Sequence, residues 1–210
     1  MPSAPHRVAL LGGSFDPVHL GHLAMAQAAL NQLPIDELWW VPVGQAWQKS
    51  RTLTPADHRV AMLQLAMGRD ARQRIEPCEI ERAGPTYTIN TLNTLKTRYP
   101  GTIWTLLLGW DQLLNLPTWK RWRDVVAQVQ LAVAPRPRTP QALGVAGPQS
   151  AVAGLPTELQ ALPIEVLHMA PWDASSTAVR ADVAQGRGIL DRVSAPVARY
   201  IADHGLYRAA

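Results

Sequence analysis

Six short apolar segments recur along the chain with helix-patterned segments between them, and that alternation restricts the fold more than any other feature. The segments cover residues 7–11, 37–43, 74–80, 103–108, 129–134 and 164–169. Most are unbroken apolar runs, the pattern of strands covered on both faces. Helical stretches between such strands make crossover connections, so the expectation is an α/β domain with a parallel sheet and helices on both faces. A helix start is legible at Thr54-Pro55-Ala56-Asp57, where Thr54 offers a hydroxyl cap and Pro55 suits the first helical position. The stretch 135–156 is rich in Pro, Gly, Ala and Gln and reads as a long surface loop, with one strand and two helices still to follow. It is therefore an insertion within one domain spanning 1–210.

Composition removes several classes. With 47% hydrophobic and 17% charged residues over 210 positions, the chain is no disordered peptide. No apolar stretch approaches the roughly 18 residues of a membrane-spanning helix, and residues 8–11 are too few for a secretory signal core. A single cysteine, Cys78, has no disulfide partner and no companion for a zinc site; it reads as a half-buried strand residue in a reducing, cytoplasmic setting. The net charge is +4, and of the 20 basic residues only Lys49, Lys96 and Lys120 are lysine. Arginine grips phosphate through a planar fork, so nucleotide ligands stay in play. The charges form no run or stripe, which argues against nucleic-acid and membrane partners.

The segment Gly12-Gly13-Ser14-Phe15-Asp16-Pro17-Val18-His19-Leu20-Gly21-His22 carries the chemistry. A buried strand runs into two glycines, and a helix is expected to start around Asp16 to Val18. Glycines without Cβ let a phosphate or sugar approach the backbone, and a helix start presents unpaired N–H groups and a positive dipole end. The spacing is neither that of a Walker loop nor that of a dinucleotide fingerprint. His19 and His22, three apart on a helix, share one face and can both donate to a phosphate oxygen. No third ligand stands at zinc spacing, so no metal site is read here. A second anion-binding helix start is Asp173-Ala174-Ser175-Ser176-Thr177-Ala178-Val179-Arg180, with three hydroxyls and an arginine one turn inside.

These two segments resemble the signatures of the nucleotidyltransferase superfamily named for its His-x-Gly-His element, which has a Rossmann-like, doubly wound parallel sheet. The second signature has Ala174 where Ile is usual, a change in the packing beneath the turn. Class I aminoacyl-tRNA synthetases share the first element but are longer and carry a lysine-rich signature missing here. Gly84-Pro85-Thr86-Tyr87-Thr88, Gly109-Trp110-Asp111 and Leu116-Pro117-Thr118-Trp119 narrow the likeness to the nicotinate-nucleotide adenylyltransferase branch, over nearly the whole chain to Tyr207.

The resemblance implies transfer of AMP from ATP to nicotinate mononucleotide in NAD biosynthesis, with release of pyrophosphate. It implies catalytic roles for His19, His22 and Arg180. Gly12, Gly13, Ser14, Phe15, Gly109, Asp111, Ser175, Ser176 and Thr177 are then expected at ATP, and Lys49, Thr86, Tyr87 and Trp119 at the nicotinate nucleotide. Lys49 is all that remains of a Pro-Pro-His-Lys element found in many members. Mg2+ is expected to enter on the ATP phosphates, since no carboxylate cluster offers it a cage. The competing readings are a sister adenylyl- or cytidylyltransferase, using phosphopantetheine or a phosphorylated alcohol, and a silent nucleotide-binding module. Oligomeric state is not legible in the sequence.

Overall fold

The structure is a computed structural model that describes residues 4–45, 52–135, 155–170, 172 and 174–209. Six strands form one sheet: β1 (Arg7–Gly13), β2 (Glu37–Pro42), β3 (Gln73–Ile75), β4 (Ile103–Gly109), β5 (Gln130–Ala134) and β6 (Ile164–Val166). All pairs are parallel, in the order β3-β2-β1-β4-β5-β6. The helices are α1 (Leu20–Gln32), α2 (Ala56–Met67), α3 (Thr88–Arg98), α4 (Trp110–Asn115), α5 (Trp122–Val126), α6 (Thr157–Gln160), α7 (Ser176–Ala184) and α8 (Ala195–Asp203). The expected α/β, doubly wound architecture is the one observed. No helix among the described residues is long and apolar enough to cross a membrane.

Both faces of the sheet are buried, and the period-2 geometry of a strand divides each strand's residues between two cores. Ala9, Leu11, Leu38 and Trp40 pack with Ala26 and Leu30 of α1, Met62 and Leu63 of α2, Val179 of α7 and Val197 and Ile201 of α8. Val8, Leu10, Trp39 and Val41 pack on the opposite face with Ile89, Leu92 and Leu95 of α3, Leu113 of α4 and Val125 of α5. The adjacent tryptophans 39 and 40 thus serve different cores. A one-residue slip of β2 would exchange them, which pins its register against β1 at Leu10↔Trp39 and Leu11↔Trp40.

Four expectations change in detail. The third strand ends at Ile75 rather than 80, because Pro77 has no N–H to continue the ladder. Cys78 therefore lies in the turn after β3, buried rather than half-buried in a strand. The sixth strand ends at Val166 rather than 169, although Leu167 N–H still reaches the Val133 carbonyl at 2.9 Å. α2 begins at Ala56 with Pro55 in the cap position, so Thr54 makes no hydroxyl cap; its carbonyl instead accepts from Arg59 Nε at 2.9 Å. The expected loop lies, for 136–154, outside the described residues.

Strand order reverses between β1 and β4. In a doubly wound sheet the loops leaving neighbouring strands at that point diverge and open a crevice at the carboxyl ends. Gly12, Gly13 and Gly109, at the ends of those two strands, lie on the crevice.

Candidate active site

The crevice is a cleft of about 600 Å³. Its walls include the β1–α1 turn, the starts of α3, α4 and α7, and Trp119 and Lys120 before α5. Of the expected site residues, Gly12, Gly13, Ser14, His19, His22, Thr86, Tyr87, Gly109, Asp111, Trp119, Ser175, Ser176, Thr177 and Arg180 all line it. Two do not appear on it. Lys49 lies outside the described residues, and Phe15 is fully buried beneath the site, its ring edge-on to His22 at 5.1 Å and to Trp40 at 5.4 Å. Phe15 supports the histidine and presents no ring to the cleft.

The first helix begins later than expected, at Leu20 rather than between 16 and 18. Phe15 has φ 47°, outside helical space, and residues 14–18 form an irregular turn that delivers His19 as the cap of α1. His22 is then the third residue of the helix. The two rings stack with centroids 3.7 Å apart, and His19 N–H donates to His22 Nδ1 at 3.2 Å. A neutral His22 in that geometry carries its proton on Nε2. Burial pulls the His19 pKa down from 6.5 to about 4, so its ring is neutral at pH 7 and acts as an N–H donor rather than as a cation. Its Nδ1 is buried without a partner. Gly21 leaves room for this packing: a Cβ there would stand 3.2 Å from the His19 ring, which would have to give by a few tenths of an ångström.

The start of α1 keeps a donor for a ligand. Leu20 N–H is taken by the Arg192 carbonyl at 2.8 Å and His22 N–H by the His19 carbonyl at 2.9 Å, which leaves Gly21 N–H with no protein acceptor among the described residues. At α7 the Ser175 hydroxyl caps the helix by accepting from Ala178 N–H at 3.1 Å, and the Ser176 and Thr177 N–H groups are the helix-start donors left over. Arg180 donates to the Asp16 carbonyl at 2.6 Å and to the Thr177 hydroxyl at 3.2 Å, while the Ser176 hydroxyl donates to the Pro17 carbonyl at 2.9 Å. The two signatures, more than 150 residues apart, are thus bonded into one donor-rich wall suited to polyphosphate.

A second set of lining residues is built differently. Thr86, 7% exposed, donates its N–H to the Gln45 carbonyl at 3.0 Å, so the donor it keeps for the cleft is its hydroxyl. The Thr86 hydroxyl and the Trp119 indole N–H are both buried without a partner. An unpaired buried polar group costs about 1–3 kcal/mol, and a cleft that keeps two is set for a ligand that supplies an acceptor. Tyr87 caps α3, and the Lys120 ammonium lies 4.4 Å from its ring centroid. Glu79, which sequence reasoning missed, also faces the cleft and accepts from the Thr91 hydroxyl at 2.6 Å; burial pushes its carboxyl up from 4.5 to about 7. Glu79 stands among Glu76, Glu81 and Arg82 in a charged stretch that reads as solvated surface, and only the fold reveals its burial.

A doubly wound sheet whose switch-point cleft joins a glycine-histidine turn to a hydroxyl-rich helix start is the site of a nucleotidyltransferase. Residues 10–182 match the cytidylyltransferase-like family model. A protein of Methylibium petroleiphilum bearing the name "Probable nicotinate-nucleotide adenylyltransferase" is 42% identical over 98% of this chain and 94% of its own length. A Bordetella petrii protein of the same name is 41% identical over 96% and 99%. The chain belongs to the nicotinate-nucleotide adenylyltransferases. The fold agrees with that of the Plasmodium falciparum nicotinic acid mononucleotide adenylyltransferase complexed with NaAD, with a TM-score of 0.74, 20% identity, and coverage of 96% of this chain and 97% of that one.

Proposed function

We propose that the cleft holds ATP across its donor-rich wall and nicotinate mononucleotide toward Thr86 and Trp119, and that AMP passes between them to give deamido-NAD and pyrophosphate. The observation that carries this reading is that one cleft is lined by two sets of anion-binding groups: helix-start amides, paired histidines and Arg180 in one, the unpartnered Thr86 hydroxyl and Trp119 indole N–H in the other. A carboxylate on a flat ring satisfies both orphans, and Lys120 adds a cation nearby. An amide in its place brings no charge for that cation to meet.

A 5′-phosphate oxygen of nicotinate mononucleotide attacks the α-phosphorus of ATP in line. One P–O bond forms, the bond to the bridging α–β oxygen breaks, and pyrophosphate leaves with the electron pair. The acceptor is already anionic at pH 7, so the chain's work is positioning and charge neutralisation. His19 and His22 donate to the transferring phosphoryl group; Arg180, Ser176 and Thr177 hold the β and γ phosphates; Ser175 fixes the helix start that presents them. Gly12, Gly13 and Ser14 give the phosphate chain room and backbone contacts. Gly109 and Asp111 face the adenosine ribose, Tyr87 and Trp119 flank the nicotinate ring, and Lys49 grips the mononucleotide phosphate.

Magnesium belongs to the ATP as substrate, where it offsets phosphate charge. The wall facing those phosphates is made of N–H, hydroxyl and guanidinium donors, which suits a metal already held by the ligand. We place the enzyme in the cytoplasm, where its substrates are made and a buried free thiol such as Cys78 persists. The test is to supply ATP labelled at the α or the γ phosphorus together with nicotinate mononucleotide. Label from the α position is expected in the dinucleotide and label from the γ position in pyrophosphate. Label from α appearing only as free AMP would overturn the transfer.

A further inference from the structure

The turn that carries His19 is held from the far end of the chain. Asp16 is 0% exposed. Its carboxylate accepts from the Tyr207 hydroxyl at 2.7 Å, across 191 positions of sequence, and from Thr54 N–H at 3.3 Å. The Asp16 carbonyl accepts from Arg180 at 2.6 Å, and the Ser14 carbonyl accepts from Arg59 at 2.9 Å. Residues 14–17 are therefore gripped by α2, by α7 and by the segment after α8. Tyr207 is not among the residues that line the cleft; its hydroxyl is turned to Asp16.

The backbone on both sides of this contact is held in left-handed space. Tyr207 has φ 63° and Phe15, next to Asp16, has φ 47°. Such a conformation is unfavourable for an aromatic residue and persists where surrounding contacts hold it, often beside functional sites. The chain turns back at the end of α8 through Leu206 N–H on the Ile201 carbonyl at 3.0 Å, which brings residue 207 to the turn. Burial, and then the bond to Asp16, push the Tyr207 pKa above its ordinary 10, so the hydroxyl stays a donor wherever the enzyme works.

We propose that Tyr207 is a positioning residue for adenylyl transfer: its hydroxyl fixes Asp16, and through the Asp16 carbonyl it fixes the aim of Arg180 and the path of the chain into His19. Arg180 leans on a carbonyl whose own residue is anchored by this bond. Loosening Asp16 lets that carbonyl drift, and a guanidinium displaced by a fraction of an ångström stabilises the departing pyrophosphate less well while still attracting the ground-state phosphates.

The inference rests on the adenylyl-transfer reading, so wild-type turnover is measured alongside every variant; an inactive wild type defeats that reading, not this one. Tyr207→Phe keeps the ring and removes the hydroxyl. Its kcat is expected to fall about ten-fold while KM for ATP and for nicotinate mononucleotide stays within about two-fold, because the lost interaction matters in the transition state. Tyr200→Phe, which removes a hydroxyl from α8 that bonds His58 rather than the turn, controls for general loosening of that region and is expected to leave kcat unchanged. Both are assayed below their melting temperatures, with the folded fraction read by circular dichroism. A folded Tyr207→Phe with wild-type kcat, or one whose loss matches that of Tyr200→Phe, overturns the proposal. If Tyr207→Phe does not fold, Asp16→Asn takes its place. The amide has one oxygen where the carboxylate gives one to the Tyr207 hydroxyl and one to Thr54 N–H, so the hold on the turn weakens; kcat is expected to fall about ten-fold with both KM values within about two-fold, and a folded Asp16→Asn with wild-type kcat overturns the proposal.

Discussion

Glu79 ties the stability of this fold to pH in a way that can be measured. It sits in the turn after β3, 8% exposed, with the Thr91 hydroxyl 2.6 Å from its carboxylate and Arg82 reaching the same hydroxyl at 3.2 Å. Burial raises its pKa from 4.5 to about 7, against the opposing pull of the Thr91 bond and the Arg82 charge. Cys78, the other titrating neighbour, is pushed up to about 12 by burial and stays protonated. A carboxyl whose folded pKa is raised contributes stability that is fully present below its unfolded pKa of 4.5 and is lost as pH climbs through about 7. At about 1.4 kcal/mol per pH unit, a gap of this size makes the fold roughly 3 kcal/mol less stable near pH 9 than near pH 4.5 on account of this one residue. Glu79→Gln keeps an acceptor for Thr91 and removes the charge. Urea unfolding across that range should therefore show a steep decline in the wild type and one shallower by about 3 kcal/mol in the variant. Parallel declines would refute the claim that burial raises the Glu79 pKa to about 7.

Three further outcomes follow from the geometry. His22→Ala should lower kcat about 100-fold or more, since it removes the ring that His19 packs on and bonds to, and near-normal turnover would remove His22 from the transition state. Gly44→Ala would place a Cβ 2.2 Å from the Glu79 carbonyl and 3.3 Å from the Thr86 hydroxyl; the backbone must shift, at about 1–3 kcal/mol. KM for nicotinate mononucleotide should rise more than KM for ATP, as steady-state kinetics with each substrate varied will show. Ser175→Ala loses the cap bond to Ala178 N–H and should cost about 1 kcal/mol in thermal unfolding while raising KM for ATP.

The architecture was legible because the central strands β1, β2, β4 and β5 are largely buried: an apolar run bounded by turns needs no partner residue to be recognised. Both signatures were legible for a different reason, since glycines before a helix and hydroxyls at a helix start are local devices with local causes. What escaped were the contacts between distant segments. Asp16 reads in sequence as the start of a helix and is in fact a buried acceptor for Tyr207 and Thr54. Thr86 is expected at the nicotinate nucleotide, and only the fold shows that its N–H goes to the Gln45 carbonyl and leaves the hydroxyl. Phe15 reads as a ligand contact because it stands inside the signature, but its ring fills the core under His22. The late start of α1 has the same origin, since the turn at 14–18 is held by Arg59, Arg180, Ser176 and Tyr207, none of which is near it in sequence.

The most direct measurement is pyrophosphate release from magnesium-ATP with nicotinate mononucleotide, nicotinamide mononucleotide or phosphopantetheine as acceptor. Rapid release with the nicotinate form and little with the other two is the predicted result, and it would locate a carboxylate pocket at Thr86 and Trp119. Equal use of the amide would contradict that pocket while leaving the phosphate wall intact, and release with phosphopantetheine alone would contradict the reaction proposed for this cleft.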